Sequence, residues 1–555
     1  MQKECKACGI EFEITDEDLD FYERVSPVFG GNKIQVSSPE ICPNCRAQNR
    51  FTFRNFFNLY KRKSDLSGKE IISMYYEDSK FPVYDIQEWW SDKWDASDYG
   101  KDVDLGSPIF PQIQALHNSV PHINIANIQC ENCDYSNLAF QSRNCYLVFG
   151  CVLNEGCAYG HIVWQSKHCF DCLYTYRSEF CYECIDCVGC YNLFYSRDSE
   201  DCSDSEYLAR CQSCKNCFGC VGLKQKEYYI LNEKVSKNEY ESRVKHLKQN
   251  MEVFYEKMKE LESKEVAKHY HGKSNENVTG DYLYFCKNTF DSYDLKNCED
   301  CKYCATDDSF KDCHDCNFSP PSAELSYSNM SVTGFHILFC HRCVSNCAEL
   351  LYCDDCHSSK NCFGCFGMNQ KEYCILNKQY SQNEYEALVP KIIEKMKECG
   401  EWSKYFPVDL SPFAYNETVA QEYFPLTKEE VESKGWRWRD KEDDIPDVEK
   451  IIPASRLPDA ISDIPDDILN WAIECEKTKR PFRIVKQELE FHRKMNIPVP
   501  HLHPDERHKR RMQLRNPRKL WQRECGKCNK EIQTTYDSSR PEIIYCEKCY
   551  LSEVY

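Results

Sequence analysis

Between residues 123 and 374 the commonest apolar residue is cysteine, and its spacing is regular. Cys133, Cys145, Cys157, Cys169 and Cys181 follow a period of twelve, which resumes at Cys190, Cys202 and Cys214. The preceding residues repeat too, as "QSRN", "QSKH", "RSEF" and "DSED". Self-similarity at a short fixed period predicts a stacked architecture in which each unit buries itself only against its neighbours. Twelve residues are too few for a helix–turn–helix repeat. They suit two short strands and two turns, and Tyr, Val, Phe and Ile are common between the cysteines, as strands prefer. The expectation is a β-solenoid, with a coil of either twelve or twenty-four residues.

The array occurs twice. "SCKNCFGCVGLKQKEYYILNEKVSKNEY" at 213–240 returns as "SSKNCFGCFGMNQKEYCILNKQYSQNEY" at 358–385. Each copy then enters a stretch of helical periodicity, with Ser236/Glu239 and Ser381/Glu384 at capping-box spacing. Such a helix would cover the open edge of the stack. "NFSPPSAELSYSNMSVTG" interrupts the second array, and residues 400–470 read as an irregular Pro- and acid-rich linker with short helices, the clearest at "PDDILNWAIECEK".

The two ends of the chain align with each other. "FEITDEDLDFYERV" (12–25) matches "FRIVKQELEFHRKM" (482–495), "CPNCR" (42–46) faces "HPDER" (503–507), and "FRNFFNLYKRKSDLSGKEI" (53–71) faces "LRNPRKLWQRECGKCNKEI" (514–532). An ancestral module with two four-thiolate sites explains the pairing. The amino-terminal copy keeps Cys5, Cys8, Cys42 and Cys45, and the carboxy-terminal copy keeps Cys525, Cys528, Cys546 and Cys549. Two Cys-x-x-Cys knuckles suit tetrahedral Zn²⁺, and a closed four-sulfur site is structural. Ser64 and Ser67 stand where Cys525 and Cys528 do, and His503 and Glu506 stand where Cys42 and Cys45 do, beside Cys475 and Thr478.

The fold class is therefore mainly β with added α. A zinc-ribbon module at 1–120 precedes the first array (121–235), a helix and linker (236–282), the second array (283–380) and a helix (381–399). The acidic linker (400–470) and a second zinc-ribbon module (471–555) complete the chain.

Composition narrows the function. Forty cysteines in 555 residues, without an apolar leader, favour metal knuckles or packed thiols in a reducing cytoplasm over disulfides. No window is apolar enough for a membrane span. The net charge of −19 excludes a surface that is basic throughout, but the charge is unevenly placed. Arg46, Arg50, Arg54, Lys61 and Arg62 form one basic segment. Arg507, Arg510, Arg511, Arg515, Arg518, Lys519 and Arg523 form the other, with Trp521 among them. Such segments suit phosphate contact and base stacking on RNA, DNA or a ribonucleoprotein. They equally suit pairing with acidic residues of the arrays or linker.

"HLHPDERHKRR" offers His501, His503, Asp505, Glu506 and His508 to a hydrolytic metal, but the alignment favours a decayed zinc site. Isolated histidines such as His161 and His336 read as packed or surface residues. Within the array, Cys181, Cys184, Cys187 and Cys190, and then Cys211, Cys214, Cys217 and Cys220, form runs of Cys-x-x-Cys. Packed thiols, additional zinc and iron–sulfur clusters all remain open for them, although the ferredoxin spacing is absent. No phosphate loop, nucleophile elbow or paired catalytic carboxylate is present, so a non-enzymatic protein is expected.

"CPNCR…FRNFFNLYKR…DLSGKEIISMY", "KNCFGC…QKEY" and "HPDERHKRRMQLRNPRKLWQRECGKCNKEI" resemble a cysteine-rich zinc-ribbon repeat family frequent in candidate-phyla-radiation bacteria (Patescibacteria). The resemblance covers nearly the whole chain. It implies a bacterial source and, because members often carry cysteine at the Ser64 position, a lost ligand there; it implies no particular activity. The expected function is a zinc-binding scaffold contacting nucleic acid or a ribonucleoprotein through the basic segments. A protein-interaction scaffold and a zinc or iron–sulfur storage or redox protein are the alternatives.

Overall fold

The computed structural model describes residues 1–319, 322–440 and 446–554; the prolines at 320 and 321 and the acidic run 441–445 lie outside the described residues. The fold is mixed, with more strand than helix. The amino-terminal module opens with the hairpin Gln2–Glu4/Glu11–Glu13, followed by helices α1 (Asp16–Arg24) and α2 (Pro43–Phe51) and the hairpin Tyr60–Lys63/Glu70–Ser73. Thr15 and Asp18 close a capping box at the start of α1, and Pro43 occupies the first turn of α2, where a missing N–H costs nothing.

The cysteine arrays run as parallel ladders with a step of twelve. Asn137 faces Phe149, Phe149 faces His161, and His161 faces Leu173. Tyr191, Ser203, Lys215 and Glu227 continue at the same step. Each twelve-residue circuit of the ladder thus pairs with the next. A second, finer period underlies it. Every third residue has positive φ, as at Asn132, Tyr135, Leu138, Gln141 and Asn144, with Gly150 and Gly156 continuing the series. A left-handed residue turns the chain, so twelve residues at three per corner give four sides.

Left-handed backbone costs about 1–3 kcal/mol at a residue other than glycine. Asn and Asp, which tolerate it best, occupy many corners, including Asp171, Asp186 and Asn192. Hydrogen bonds between circuits repay the strain. The His168 amide donates back to the Glu155 carbonyl at 2.9 Å, and the Phe170 amide donates forward to the Cys181 carbonyl at 2.9 Å. The residue after most corners is small and buried, giving an interior of Cys145, Val148, Cys151, Cys157, Val163, Cys169 and Cys172, with Leu193 and Leu208 as larger members. Four inward side chains share each circuit, so most of them are small, and cysteine dominates. It packs as a small hydrophobe, and its thiol reaches a carbonyl, as Cys172 does to Phe170 at 3.3 Å.

The second array keeps the principle with looser register. Phe310 faces Ala323, a step of thirteen, and Ala323 faces Gly334, a step of eleven. At the bulge beside Val278, Gly280 has φ of 133°, and a Cβ there would meet the Ser292 carbonyl oxygen at 1.8 Å.

Both arrays end alike. Leu231 and Asn232, and likewise Leu376 and Asn377, have positive φ in succession, the requirement of a type I′ turn. That turn reverses the chain into an antiparallel strand and stops the parallel ladder. Helices α3 (Lys237–Lys248) and α4 (Met251–Lys264) follow the first array, and α5 (Gln382–Glu398) follows the second. Both expected capping boxes form. The cover over the first array comes from Phe254 and Met258 of α4, because α3 buries nothing; α5 buries Tyr385, Val389, Ile392, Ile393 and Met396.

The linker departs from expectation. Tyr405, Phe406, Tyr415 and Ala420 are buried in the central core, where α6 (Val419–Tyr423) lies with them, and Phe413 is buried in a neighbouring cluster with Ile71, Met74 and Tyr75. "PDDILNWAIECEK" is a short 3₁₀ turn at Asp466–Asn470 and then a strand, Trp471–Glu474, rather than a helix. The strand wins because Ala472 and Ile473 bury between Lys450–Pro453 on one side and Pro481–Phe482 on the other. The carboxy-terminal module continues with α7 (Lys486–Met495), α8 (Pro504–Leu514) and the hairpin Trp521–Glu524/Glu531–Thr534.

Candidate metal centres and arginine clamps

Each module contains two sites, and the four leading knuckles share one backbone design. A left-handed residue follows the second ligand position: Gly9, Gly68, Lys479 and Asn529. A second backbone bond ties each knuckle to the opposing segment: Lys6 N–H to Glu40 O, Asp65 to Val83, Glu476 to His501 and Gly526 to Ile544, all at 2.9–3.1 Å.

Two of the four carry thiols throughout. The sulfurs of Cys5, Cys8, Cys42 and Cys45 lie within 4.8 Å of one another, as do those of Cys525, Cys528, Cys546 and Cys549. Cys8 and Cys42 are 3.7 Å apart, and Cys528 and Cys546 are 3.9 Å apart. A tetrahedral ion with metal–sulfur bonds of about 2.3 Å needs sulfur separations of about 3.8 Å, so the donor set fits. Backbone N–H groups already favour thiolate: Cys42 donates to Cys5 Sγ, and Cys546 to Cys525 Sγ, each at 3.2 Å. Cys42, which caps α2 at its positive end, is pulled down to about 5, chiefly by a hydrogen bond from the Cys45 thiol. Burial opposes ionisation of Cys525, but the amides of Cys546, Cys528 and Lys527 outweigh it and bring that thiol down to about 6.

The other two knuckles have polar replacements. Ser64 and Ser67 face Asp85 and Glu88, the positional counterparts of Cys546 and Cys549, which the sequence reading did not pair with them. Ser64 donates to Glu88, and the Asp85 amide donates to Ser64 Oγ at 3.4 Å, reproducing the N–H to sulfur bond of the intact site. In the fourth knuckle the His503 amide donates to Cys475 Sγ at 3.3 Å, while Lys477 and Lys509 each pair with Glu506 at 2.9 Å. His503 accepts from the Asp505 amide as the cap of α8, Asp505 pairs with Arg480 and His501 lies beside Glu476. These groups do not converge on one point, so the hydrolytic set imagined in "HLHPDERH" is not assembled.

The basic segments are placed differently from the expected contact surface. Arg46, Arg50, Arg54, Arg62, Arg507, Arg511 and Arg515 are buried, and Arg518 nearly so. Along α2, Arg46 and Arg50 reach the two oxygens of Asp315 at 2.7 and 3.0 Å. Along α8, Arg507 and Arg511 reach the two oxygens of Asp171, the second at 2.8 Å. Arg54 donates to Ser331, and Arg515 and Arg518 hold Asp294, Arg515 also holding Asp186. Arg62 pairs with Asp65. The correction has a physical cause: an arginine at every fourth position lines one helix face, and that face meets carboxylates at array corners. Among the proposed contact residues, Lys61, Arg510 and Lys519 are exposed, and Trp521 and Arg523 are partly so.

The two clamps are copies. Phe21 stacks on His314 at 3.6 Å, and its counterpart Phe491 stacks on Phe170 at 4.1 Å. Arg46 lies over Tyr303, and its counterpart Arg507 over Tyr159. The receptor is one motif, Cys169-Phe170-Asp171-Cys172 and Cys313-His314-Asp315-Cys316. Thus α2 of the amino-terminal module clamps the second array and α8 of the carboxy-terminal module clamps the first, while Arg515 and Arg518 reach on to Asp294 of the second array. The repeated Cys-x-Asp-Cys was visible in the sequence, but a ladder of cysteines drew the reading away from the aspartate.

Cys181, Cys184, Cys187 and Cys190 occupy successive sides of one circuit, and Cys211, Cys214, Cys217 and Cys220 do the same further on; all are buried. Their Cys-x-x-Cys spacing follows from three residues per side and needs no ion to explain it. Among the described residues, no three array thiols come within 4.8 Å of one another. No protein-family model matches this chain, and no curated protein matches it. Among the described residues, no helix is long and apolar enough to cross a membrane.

Proposed function

We propose that this chain is a non-enzymatic zinc-binding scaffold, in which two related zinc-ribbon modules lock a duplicated cysteine-rich β-solenoid into a rigid body that presents its outer faces to protein partners. The observation that carries this reading is the burial of the basic segments. Guanidiniums bound to Asp171, Asp186, Asp294 and Asp315 hold the arrays together and are not available to phosphates. Zinc is preferred at Cys5/Cys8/Cys42/Cys45 and Cys525/Cys528/Cys546/Cys549 because four thiolates leave no open position, which makes each site structural. The family resemblance to candidate-phyla-radiation proteins supports a zinc-ribbon reading and a bacterial source.

The test is affinity capture from nuclease-treated lysate, paired with nucleic-acid binding at low salt, where phosphate contacts are strongest. Stable protein partners with no nucleic-acid retention are expected. Tight, salt-sensitive RNA or DNA binding lost on changing Lys61, Arg510 and Lys519 would instead place the function on nucleic acid. Visible iron–sulfur absorbance would overturn the zinc assignment.

A further inference from the structure

We infer that His161, His508 and Glu422 form a third metal site, a two-histidine, one-carboxylate centre for a divalent transition ion such as Zn²⁺. The three residues come from separate parts of the chain. His161 lies on a strand of the first array, Glu422 on α6 of the linker and His508 on α8 of the carboxy-terminal module. Their ligand atoms all lie within 4.8 Å of one another.

The independent observation is that donors at this point are unused. His161 is 1 % exposed, and neither of its ring nitrogens has a hydrogen-bond partner. Buried imidazoles normally find at least one partner, and both nitrogens orphaned together call for an occupant. The Oε1 atom of Glu422 is also buried without a partner. Its Oε2 takes a hydrogen bond from His508 Nε2 at 2.9 Å. A cation replacing that shared proton would satisfy Glu422, His508 and His161 at once. Imidazole nitrogens and a carboxylate oxygen are ligands of the kind Zn²⁺ accepts, with a fourth position left for water. Phe56 and Phe57 pack edge-on against the His161 ring, each at 4.8 Å, and fix its plane.

The internal duplication provides a control. Aligning Asp171 with Asp315, and Arg507 with Arg46, places Ala305 opposite His161 and Ala47 opposite His508. Histidine is present at both positions of one clamp and at neither of the other, as a shared ligand requires. Packing alone does not require the two positions to change together.

The inference is independent of the scaffold reading, and the test is made on the full chain. Protein is purified, exchanged into Zn²⁺, freed of excess and analysed for zinc. The wild type is expected to hold one equivalent per chain more than His508→Ala and one more than Glu422→Gln. The thiolate sites should stay full in both variants. Crystals of the unaltered protein should show an anomalous peak at the zinc edge between the three side chains, a readout that survives if a variant misfolds. Equal zinc content in wild type and both variants would overturn the site. So would a map with peaks at the thiolate sites and none at His161.

Discussion

Asp171→Ala removes the carboxylate that both Arg507 and Arg511 grip. All three groups are at most 1 % exposed, so two cations would be left in a dry interface. At charge separations of about 4 Å and an effective dielectric constant of about 20, each pair is worth about 4 kcal/mol before desolvation. Breaking a buried pair by deleting one partner costs about 3–5 kcal/mol. Glu488 lies 3.2 Å from Arg507, and Glu183 lies 3.3 Å from Arg511, so each arginine keeps one partner. The expected loss is therefore about 3–5 kcal/mol for the pair of contacts together, not twice that. With a urea slope of about 2 kcal/mol/M, the transition that undocks the carboxy-terminal module should move down by about 1.5–2.5 M. Urea titration followed by hydrogen exchange in α8 reads this directly, because a chain of this length need not unfold in one step. Asp171→Leu with Arg511→Met should recover at least about 1 kcal/mol, since it removes a charge rather than stranding it. A loss below about 1 kcal/mol for Asp171→Ala, the size of a solvated pair, would refute the clamp.

Cys8→Ser and Cys528→Ser should each release one metal ion per chain, and chelation should loosen the corresponding hairpin while the arrays stay folded; elemental analysis and hydrogen exchange check both. Changing Ser64, Ser67, Asp85 and Glu88 to cysteine together should create a further thiolate site, visible as one added metal equivalent, because the backbone of that knuckle is intact. Burial disfavours the His271 cation, but Asp281, 3.0 Å away, and Asp198 outweigh it and raise its pKa. A raised histidine stabilises the fold fully below its unfolded value of about 6.5, and the gain is lost as pH rises through the folded value. The second ribbon, whose Thr535 and Tyr536 bond Asp281 and His271, should therefore loosen above neutral pH. Asp281→Asn should flatten that dependence in a pH series of thermal melts. Cys184→Leu should cost about 1–3 kcal/mol by overfilling a four-residue circuit, read as a fall in melting temperature.

Much of this architecture was legible in the chain. The twelve-residue step follows from the cysteine spacing, the terminal duplication from aligned residues such as Phe21 and Phe491, and the two thiol clusters from paired knuckles. Each of these is a local pattern, because a knuckle or a circuit is built from neighbours in sequence. The three-residue corner was also written there, as Cys-x-x-Cys, but the same spacing describes a metal knuckle, and only backbone conformation separates the two. Asp85 and Glu88 were missed because carboxylates are common and nothing marked them as successors to thiols.

Docking was decided by the tertiary structure alone. Arg46 and Arg507 read as surface cations until Asp315 and Asp171, more than 250 residues away in both cases, are placed against them. His161 read as an ordinary packed histidine until His508 and Glu422 arrive beside it. Sequence determines short-range geometry through spacing. Which buried charge or unused nitrogen meets which partner depends on how distant segments pack, and that packing is a property of the whole fold.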